Sequence, residues 1–376
     1  MSLRLALGAI ALALLACTTT GGSGGNDDSG STTACDGELR SNTMSLTSDK
    51  DGQVTIPVTL GENDAAFMVM TEGATGYLST DGVVDETGQT VLDWQDWSSS
   101  RESLTNAFYA SEDVSVLNWP IRDADGGLEA GDWTVFASTL DTSGYPKANR
   151  DVDVTVLTRH CTGTRGSLPV SIVYAGGLES DRVVTKAVEA AALRWVEIYA
   201  SIGVDLTLSY GSADMDASLP EPLPGGSAYT DVYDAVGEGV VLVVGEDVGG
   251  DPNLYGEAGG IPGAQIASPH SVVALGWLLH AGADGDFSDD EIEVMAETMA
   301  HESGHFLGLY HPVESTYDMW DALDDTKKCA SGSSCDSALG KNLMYPYPIC
   351  SGKTCDDQDT LTDEQSGVVH NNVGVR

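Results

Sequence analysis

The sequence predicts an α/β (α+β) domain with a mixed sheet, preceded by an all-β sandwich, and three observations carry that prediction. Residues 35–162 alternate short apolar runs with turn clusters and hold no convincing helix. From Gly166 onward, strand-like runs alternate with a segment of 3.6-residue apolar period. A third segment begins with helix-capping residues and ends on three histidines. At 376 residues the chain is long for one domain and comfortable for two.

In order along the chain, "MSLRLALGAIALALLAC" has one Arg, an apolar run from Leu5 to Leu15, and small Ala16 before Cys17. The run is too short to span a bilayer and reads as an export signal over residues 1–16. Its end, Leu14-Leu15-Ala16-Cys17, resembles the bacterial lipobox, which implies lipidation at Cys17 and an exported protein anchored at the cell envelope. On this reading the membrane is met only through that anchor. Residues 17–34 are small and polar without periodicity, so they read as a flexible tether.

Within residues 35–162 the strand candidates are "VTIPVTL", "AAFMVMT", "WTVFAST" and "DVDVTVLT", separated by "DKDG", "DETGQ" and "DADGG". Val152, Val154 and Val156 give one buried face. The turn aspartates read as turn formers rather than calcium ligands. The stretch "LEAGDWTVFAST" resembles the jelly-roll modules that accompany secreted bacterial peptidases.

The second domain is expected over residues 167–376. "LPVSIVY" reads as a strand. A helix follows, capped by Ser180, with Val184, Ala187, Val188, Ala191, Trp195 and Ile198 on its apolar face and Gly203 at its end. "VDLTLSY" and the buried "GVVLVVG" are further strands. Ser288-Asp289-Asp290-Glu291 forms a capping box, and "DGDFSDDE" lacks the twelfth-position glutamate of an EF-hand loop.

Seventeen basic against 58 acidic residues give a net charge of -41, which excludes nucleic acid as a partner, because phosphate needs a cationic face. Of seven cysteines, setting Cys17 aside leaves six, an even set that an exported chain can oxidise. Nearest-neighbour pairing gives Cys35 with Cys161, Cys329 with Cys335, and Cys350 with Cys355, a connectivity that spacing alone does not fix.

The chemistry lies in "HESGHFLGLYH". His301 and His305 stand four residues apart, on one helical face, and can turn ring nitrogens to one ion. Glu302 is offset by about 100° and can reach a water beside that ion. In a continuing helix His311 would lie about 240° around the axis from His305. Gly308 can stop the helix in a left-handed conformation and let the chain return, so that three neutral imidazoles leave a fourth zinc position for water.

These residues match the HExxHxxGxxH signature of the metzincin zinc endopeptidases, and the chain resembles that family over roughly residues 167–376. The resemblance implies Zn²⁺ held by His301, His305 and His311, with Glu302 as general base and acid in peptide-bond hydrolysis. It also implies a Met-turn, supplied by Met344 in "KNLMYPYP" 33 positions after His311. "DALDDT", "NLM" and "LTDEQ" look most like the pappalysin branch of secreted bacterial enzymes. In that branch Asp321, Asp324 and Asp325 fall where a calcium-ordered loop lies near the site, so Ca²⁺ is a second expected ion. Pro346 stands where some metzincins carry a tyrosine ligand, so Tyr345 and Tyr347 stay unassigned between stabilising a transition-state oxyanion and walling the cleft.

The implied partner is a protein or peptide substrate bound as an added strand along a sheet edge, expected within residues 259–277. A thiolate from Cys161 on the zinc is the alternative to its disulfide. His160, His270, His280 and His370 receive no role. The contrasting reading of the whole is a zinc-stabilised surface binding lipoprotein without catalysis, to which Glu302 would be superfluous.

Overall fold

The computed structural model describes residues 37–376 except 74–75, 110–112, 162–164, 223–227, 237–238, 269, 283–284 and 352–353. The export signal, the tether, Cys17 and Cys35 lie outside the described residues. Among those described, no helix is long and apolar enough to cross a membrane.

The chain begins with β1 (Leu39–Thr47), β2 (Gln53–Leu60), β3 (Asp64–Gly73), β4 (Tyr77–Val84), β5 (Thr90–Asp93), the single-turn α1 (Trp94–Trp97), β6 (Glu102–Ser103), β7 (Val114–Trp119), β8 (Gly131–Leu140) and β9 (Asp151–His160). Two antiparallel four-stranded sheets form, in the orders β1-β9-β3-β7 and β2-β8-β4-β5. Strict alternation explains how they face each other. Val54, Ile56, Val58 and Leu60 of β2 meet Val152, Val154 and Val156 of β9 in one core, while the polar residues between them face water.

The turn aspartates behave as local caps. Asp49 accepts from the N–H of Asp51 and Gln53 (2.8 and 2.9 Å), Asp85 from those of Thr87 and Gln89 (3.0 and 2.8 Å), and Asp141 from those of Ser143 and Tyr145 (2.9 and 3.1 Å). Each carboxylate closes the turn between two strands.

The α/β part comprises β10 (Gly166–Tyr174), α2 (Arg182–Ser201), β11 (Val204–Ser212), β12 (Ser218–Leu219), α3 (Ala228–Val236), β13 (Val240–Gly245), β14 (Asp247–Val248), β15 (Gly256–Ala258), β16 (Val272–Gly276), α4 (Asp289–Phe306), β17 (Trp320–Asp321), α5 (Gly332–Leu339), β18 (Cys350–Ser351), β19 (Thr354–Cys355) and α6 (Asp363–Asn371). Its sheet runs β11-β10-β13-β16-β15, parallel except for β15. β13 is buried along its whole length because α2 and α4 cover one face and α3 the other.

The apolar positions expected on α2 are all buried. Its cap is Asp181 rather than Ser180, with the Asp181 carboxylate accepting from the N–H of Val183 and Val184 (2.9 and 3.3 Å). Ser180 instead closes a preceding 3₁₀ turn. The capping box at Ser288 and Glu291 forms as expected.

Cys35–Arg376 is one compact unit. β3 shows how the sandwich and the α/β part share it: Phe67 and Val69 enter the sandwich core, while Ala66, Met68 and Met70 pack with Ala264 and Val373 from beyond. The continuous apolar run "AAFMVM" reflects burial of both faces. Arg159, on β9 and 2% exposed, donates to the carbonyls of His370 (2.7 Å), Asn372 (2.9 Å) and Val375. Asn118 adds bonds to Asn371 O and from Val373 N, both 3.0 Å, and β6 pairs in parallel with β17. Arg159→Ala strands these buried carbonyls, so unfolding in urea should show a loss of about 3 kcal/mol. A change under about 0.5 kcal/mol would show that the clamp contributes nothing.

Candidate metal centre

α4 carries Met295, Ala296, Met299 and Ala300 into the core under the sheet, which leaves His301 and His305 on its cleft side. Its last turn closes in a paired pattern. Gly308 N donates to His305 O and Leu309 N to Gly304 O, both at 2.9 Å, and Gly308 takes φ +112°. This is the chain reversal expected at Gly308, and it returns His311 to the ligand face.

The three imidazoles converge through Nε2. His311 Nε2 lies 3.2 Å from that of His301 and 3.1 Å from that of His305. Each Nδ1 is bound by a group that only accepts: Leu343 O for His301 (2.7 Å), Leu309 O for His305 (2.7 Å) and the Glu314 carboxylate for His311 (3.0 Å). The protons therefore sit on Nδ1, and three Nε2 lone pairs face a common point. Burial, followed by the neighbouring His311, pushes His301 down to about 3 and His305 well below the ordinary imidazole range. Neutral lone pairs this close repel unless a cation lies among them, and three nitrogens fit a zinc-like ion with an open position.

Glu302 sits where α4 meets β15. It accepts from the backbone of Ala258, and a Cβ on Gly256 would stand 2.9 Å from its Cγ. Burial first, and then the charge of Glu257, pushes its carboxyl up to about 8. A divalent cation beside it acts in the opposite sense. A cavity of about 150 Å³ opens here, lined by Tyr255, Gly256, Thr298, His301, Glu302 and Tyr347 among others.

Beneath the histidines, Met344 approaches so closely that a Cβ on Gly304 would meet its Sδ at 2.6 Å. The turn bearing Leu343 and Met344 is held from α6, where Gln365 accepts from Asn342 Nδ2 (2.7 Å), while Asn342 Oδ1 accepts from Met344 N (2.9 Å). Asp325 in turn caps α6, accepting from Thr362 Oγ1 (2.8 Å) and Glu364 N (2.9 Å). The separated stretches "DALDDT", "NLM" and "LTDEQ" thus form one support.

Among the described residues, ligand atoms from three or more acidic, histidine or cysteine groups converge at the histidine triad and at Glu293, Glu297 and Asp357, not at Asp321, Asp324 and Asp325. Asp321 is 2% exposed, accepts from Thr326 Oγ1, and is pushed up to about 7 by burial. Tyr345 donates to Asp336 Oδ1 (2.7 Å), and Tyr347 bonds to the hydroxyls of Tyr345 (3.1 Å) and Tyr317.

Cys329–Cys335 and Cys350–Cys355 are bridged as expected. Cys161 is in a disulfide and has no thiolate for a metal; Cys35, its expected partner, is outside the described residues. The edge strand beside the site is β15, Gly256–Ala258, because β16 within the expected 259–277 stretch is paired on both sides. Sequence reasoning missed Gly304, Glu257, Glu314 and the two carbonyl acceptors. Only Glu314 left a readable signal, an acid three residues after a candidate ligand.

No known protein-family model matches the chain, and no curated protein matches it by sequence. Among solved structures it is similar to metalloproteinase-II from Bacteroides fragilis, with 15% identity over 56% of this chain and 54% of that one, at a TM-score of 0.31. It is also similar to the VP2 subviral particle of infectious bursal disease virus (14% identity, 32% and 33% coverage, TM-score 0.19). A third is an active-site mutant of a family two carbohydrate esterase from Clostridium thermocellum (8% identity, 55% and 66% coverage, TM-score 0.15). The chain spans about half the length of the first of these, and TM-scores this low assign neither fold nor activity.

Gly308→Ala forces a side chain into left-handed backbone at a cost of about 1–3 kcal/mol. The variant should unfold earlier and bind zinc roughly 10–100-fold more weakly than wild type in chelator competition. Unchanged affinity would separate the turn from the metal centre.

Proposed function

We propose that the protein is a zinc-dependent endopeptidase of the metzincin kind. Its "DALDDT", "NLM" and "LTDEQ" stretches point to the pappalysin branch, and its export signal and Cys17 to a lipid-anchored place at the cell envelope. The observation that supports the reading best is the convergence of the Nε2 atoms of His301, His305 and His311, with the Glu302 carboxyl beside His301 in the wall of one cavity.

Zn²⁺ bound at His301, His305 and His311 supplies a Lewis acid that lowers the pKa of water and polarises a carbonyl. Glu302 then works as the proton carrier. It takes the proton of the attacking water and delivers it to the amine that leaves when the C–N bond breaks. The Ala258 N–H and the close approach of Gly256 hold the carboxyl at the cleft wall. Met344 forms an apolar floor and binds no metal. The peptide lies along β15, the edge strand of its sheet.

Digestion of a peptide library should give discrete cleavage by wild type. Glu302→Ala should lose roughly 10²–10⁴-fold in rate while keeping its zinc by elemental analysis. Zinc retention without any wild-type cleavage would favour the non-catalytic binding lipoprotein instead.

A further inference from the structure

Past Met344 the chain runs through Tyr345, Pro346 and Tyr347, and both tyrosines line the cavity that also holds His301 and Glu302. A phenol beside a metal centre has two uses. It can donate its one proton to an oxyanion in the transition state, or it can form part of the wall against which substrate packs. Where each proton goes decides between them.

Tyr345 is 2% exposed, and its hydroxyl donates to Asp336 Oδ1 at 2.7 Å. A carboxylate only accepts, so this bond uses the single proton of Tyr345. The Tyr347 hydroxyl lies 3.1 Å from that of Tyr345, whose oxygen has only lone pairs left to offer, so Tyr347 is the donor. Its distance to Asp336 Oδ1, 3.5 Å, leads to the same carboxylate. By the same count Tyr317, whose hydroxyl meets that of Tyr347, donates to it. The protons run one way, from Tyr317 to Tyr347 to Tyr345 to Asp336. Neither phenol of the cavity wall keeps one for a developing oxyanion. Burial, followed by the bond to Asp336, pushes the Tyr345 hydroxyl above the ordinary phenol range, so it stays a donor.

Both ends of this chain are anchored. Asp336 follows Cys335 on α5, and the Cys329–Cys335 bridge packs with Val313, Leu339 and Tyr345 in one small core. Tyr317 takes left-handed backbone, φ +60°, which costs a bulky residue about 1–3 kcal/mol and persists only where its surroundings impose it. Tyr317 N donates to Glu314 O at 2.8 Å, and a Cβ on Gly332 would stand 3.0 Å from the Tyr317 hydroxyl, so the glycine leaves the phenol its room. Glu314 is the residue whose carboxylate holds His311, and Leu343, two positions before Tyr345, holds His301. The phenols thus close a path from behind one histidine to behind another.

We propose that Asp336 is a positioning residue for substrate binding, which draws Tyr345 and Tyr347 into a fixed wall of the cavity and withholds their hydroxyl protons from the reaction. The proposal rests on the endopeptidase reading above. The tyrosines then act on how substrate binds and not on how fast the bond breaks. What they offer a peptide side chain is aromatic surface already held in place.

The test compares wild type with Asp336→Ala, Asp336→Asn and Tyr347→Phe on one peptide that wild type cleaves, with zinc measured in each by elemental analysis. Asp336→Ala strands the Tyr345 donor and loosens the wall, so KM should rise about tenfold with kcat within about threefold and zinc retained. Asp336→Asn keeps a carbonyl oxygen for Tyr345 and should bring KM back to within about threefold of wild type. Tyr347→Phe keeps the ring and loses the proton, and it keeps the test decisive if Asp336→Ala fails to fold. That variant should raise KM roughly threefold while kcat moves by less than about twofold. A fall in kcat of about 10²–10³ in Tyr347→Phe makes Tyr347 an oxyanion donor and overturns the proposal. So does an Asp336→Ala enzyme that has wild-type KM or has lost its zinc, or an Asp336→Asn enzyme no better than Asp336→Ala. Absence of cleavage by wild type overturns the endopeptidase reading itself, and this role of Asp336 with it.

Discussion

The Nε2 lone pairs of His301 and His305 are held 3.2 and 3.1 Å from that of His311, close enough to repel. The convergence of His301, His305 and His311 is unfavourable until a cation joins it, and the surroundings make other arrangements worse. Rotating His301 or His305 out of place would leave a buried backbone carbonyl, Leu343 O or Leu309 O, without its donor. The site is therefore fixed from behind, through Nδ1, and the place a metal ion would take follows from groups that would not touch it.

Those groups belong to different parts of the chain. Leu309 O comes from the turn at Gly308, so one glycine both returns His311 and orients His305. Leu343 O comes from a turn held by Gln365 on α6, and α6 is capped by Asp325. The chain just beyond α6 is gripped by Arg159 of β9, whose guanidinium burial pushes down to about 10. A continuous path of hydrogen bonds thus runs from the sandwich to the ring of His301. The sandwich is not an appendage that merely precedes the metal centre.

Local chemistry was legible in the sequence and remote chemistry was not. The alternation of β2 and β9, the apolar face of α2, the capping box at Ser288 and the break at Gly308 each depend on residues within a few positions of one another. The helix cap slipped by one residue because Ser180 and Asp181 are both good caps and only the preceding turn decides between them. Gly304 looked like an ordinary helix glycine, because its partner, Met344, lies 40 positions away.

The short edge strand is where these threads meet. An edge of backbone N–H and C=O groups beside a cleft binds extended chains indiscriminately, so selectivity has to come from what flanks it. Gly256 contributes no side chain, and Glu302 takes up the space one would need. On the endopeptidase reading, selection falls to the two ends of the strand. At the Tyr255 end the wall is the tyrosine cluster tied to Asp336, which belongs to the α/β part alone. At the Gly259 end the wall is shared with the sandwich, through Asn106, which also receives the hydroxyl of Tyr310 beside His311. A sandwich displaced from its seat would therefore open one end of the cleft and remove a hydrogen-bond partner from the neighbour of a metal ligand. Arg159 and Asn118 reach the chain around the end of α6 from the same face of the sheet, the one on which Val116 and Leu157 pack against Ala264 and Val373.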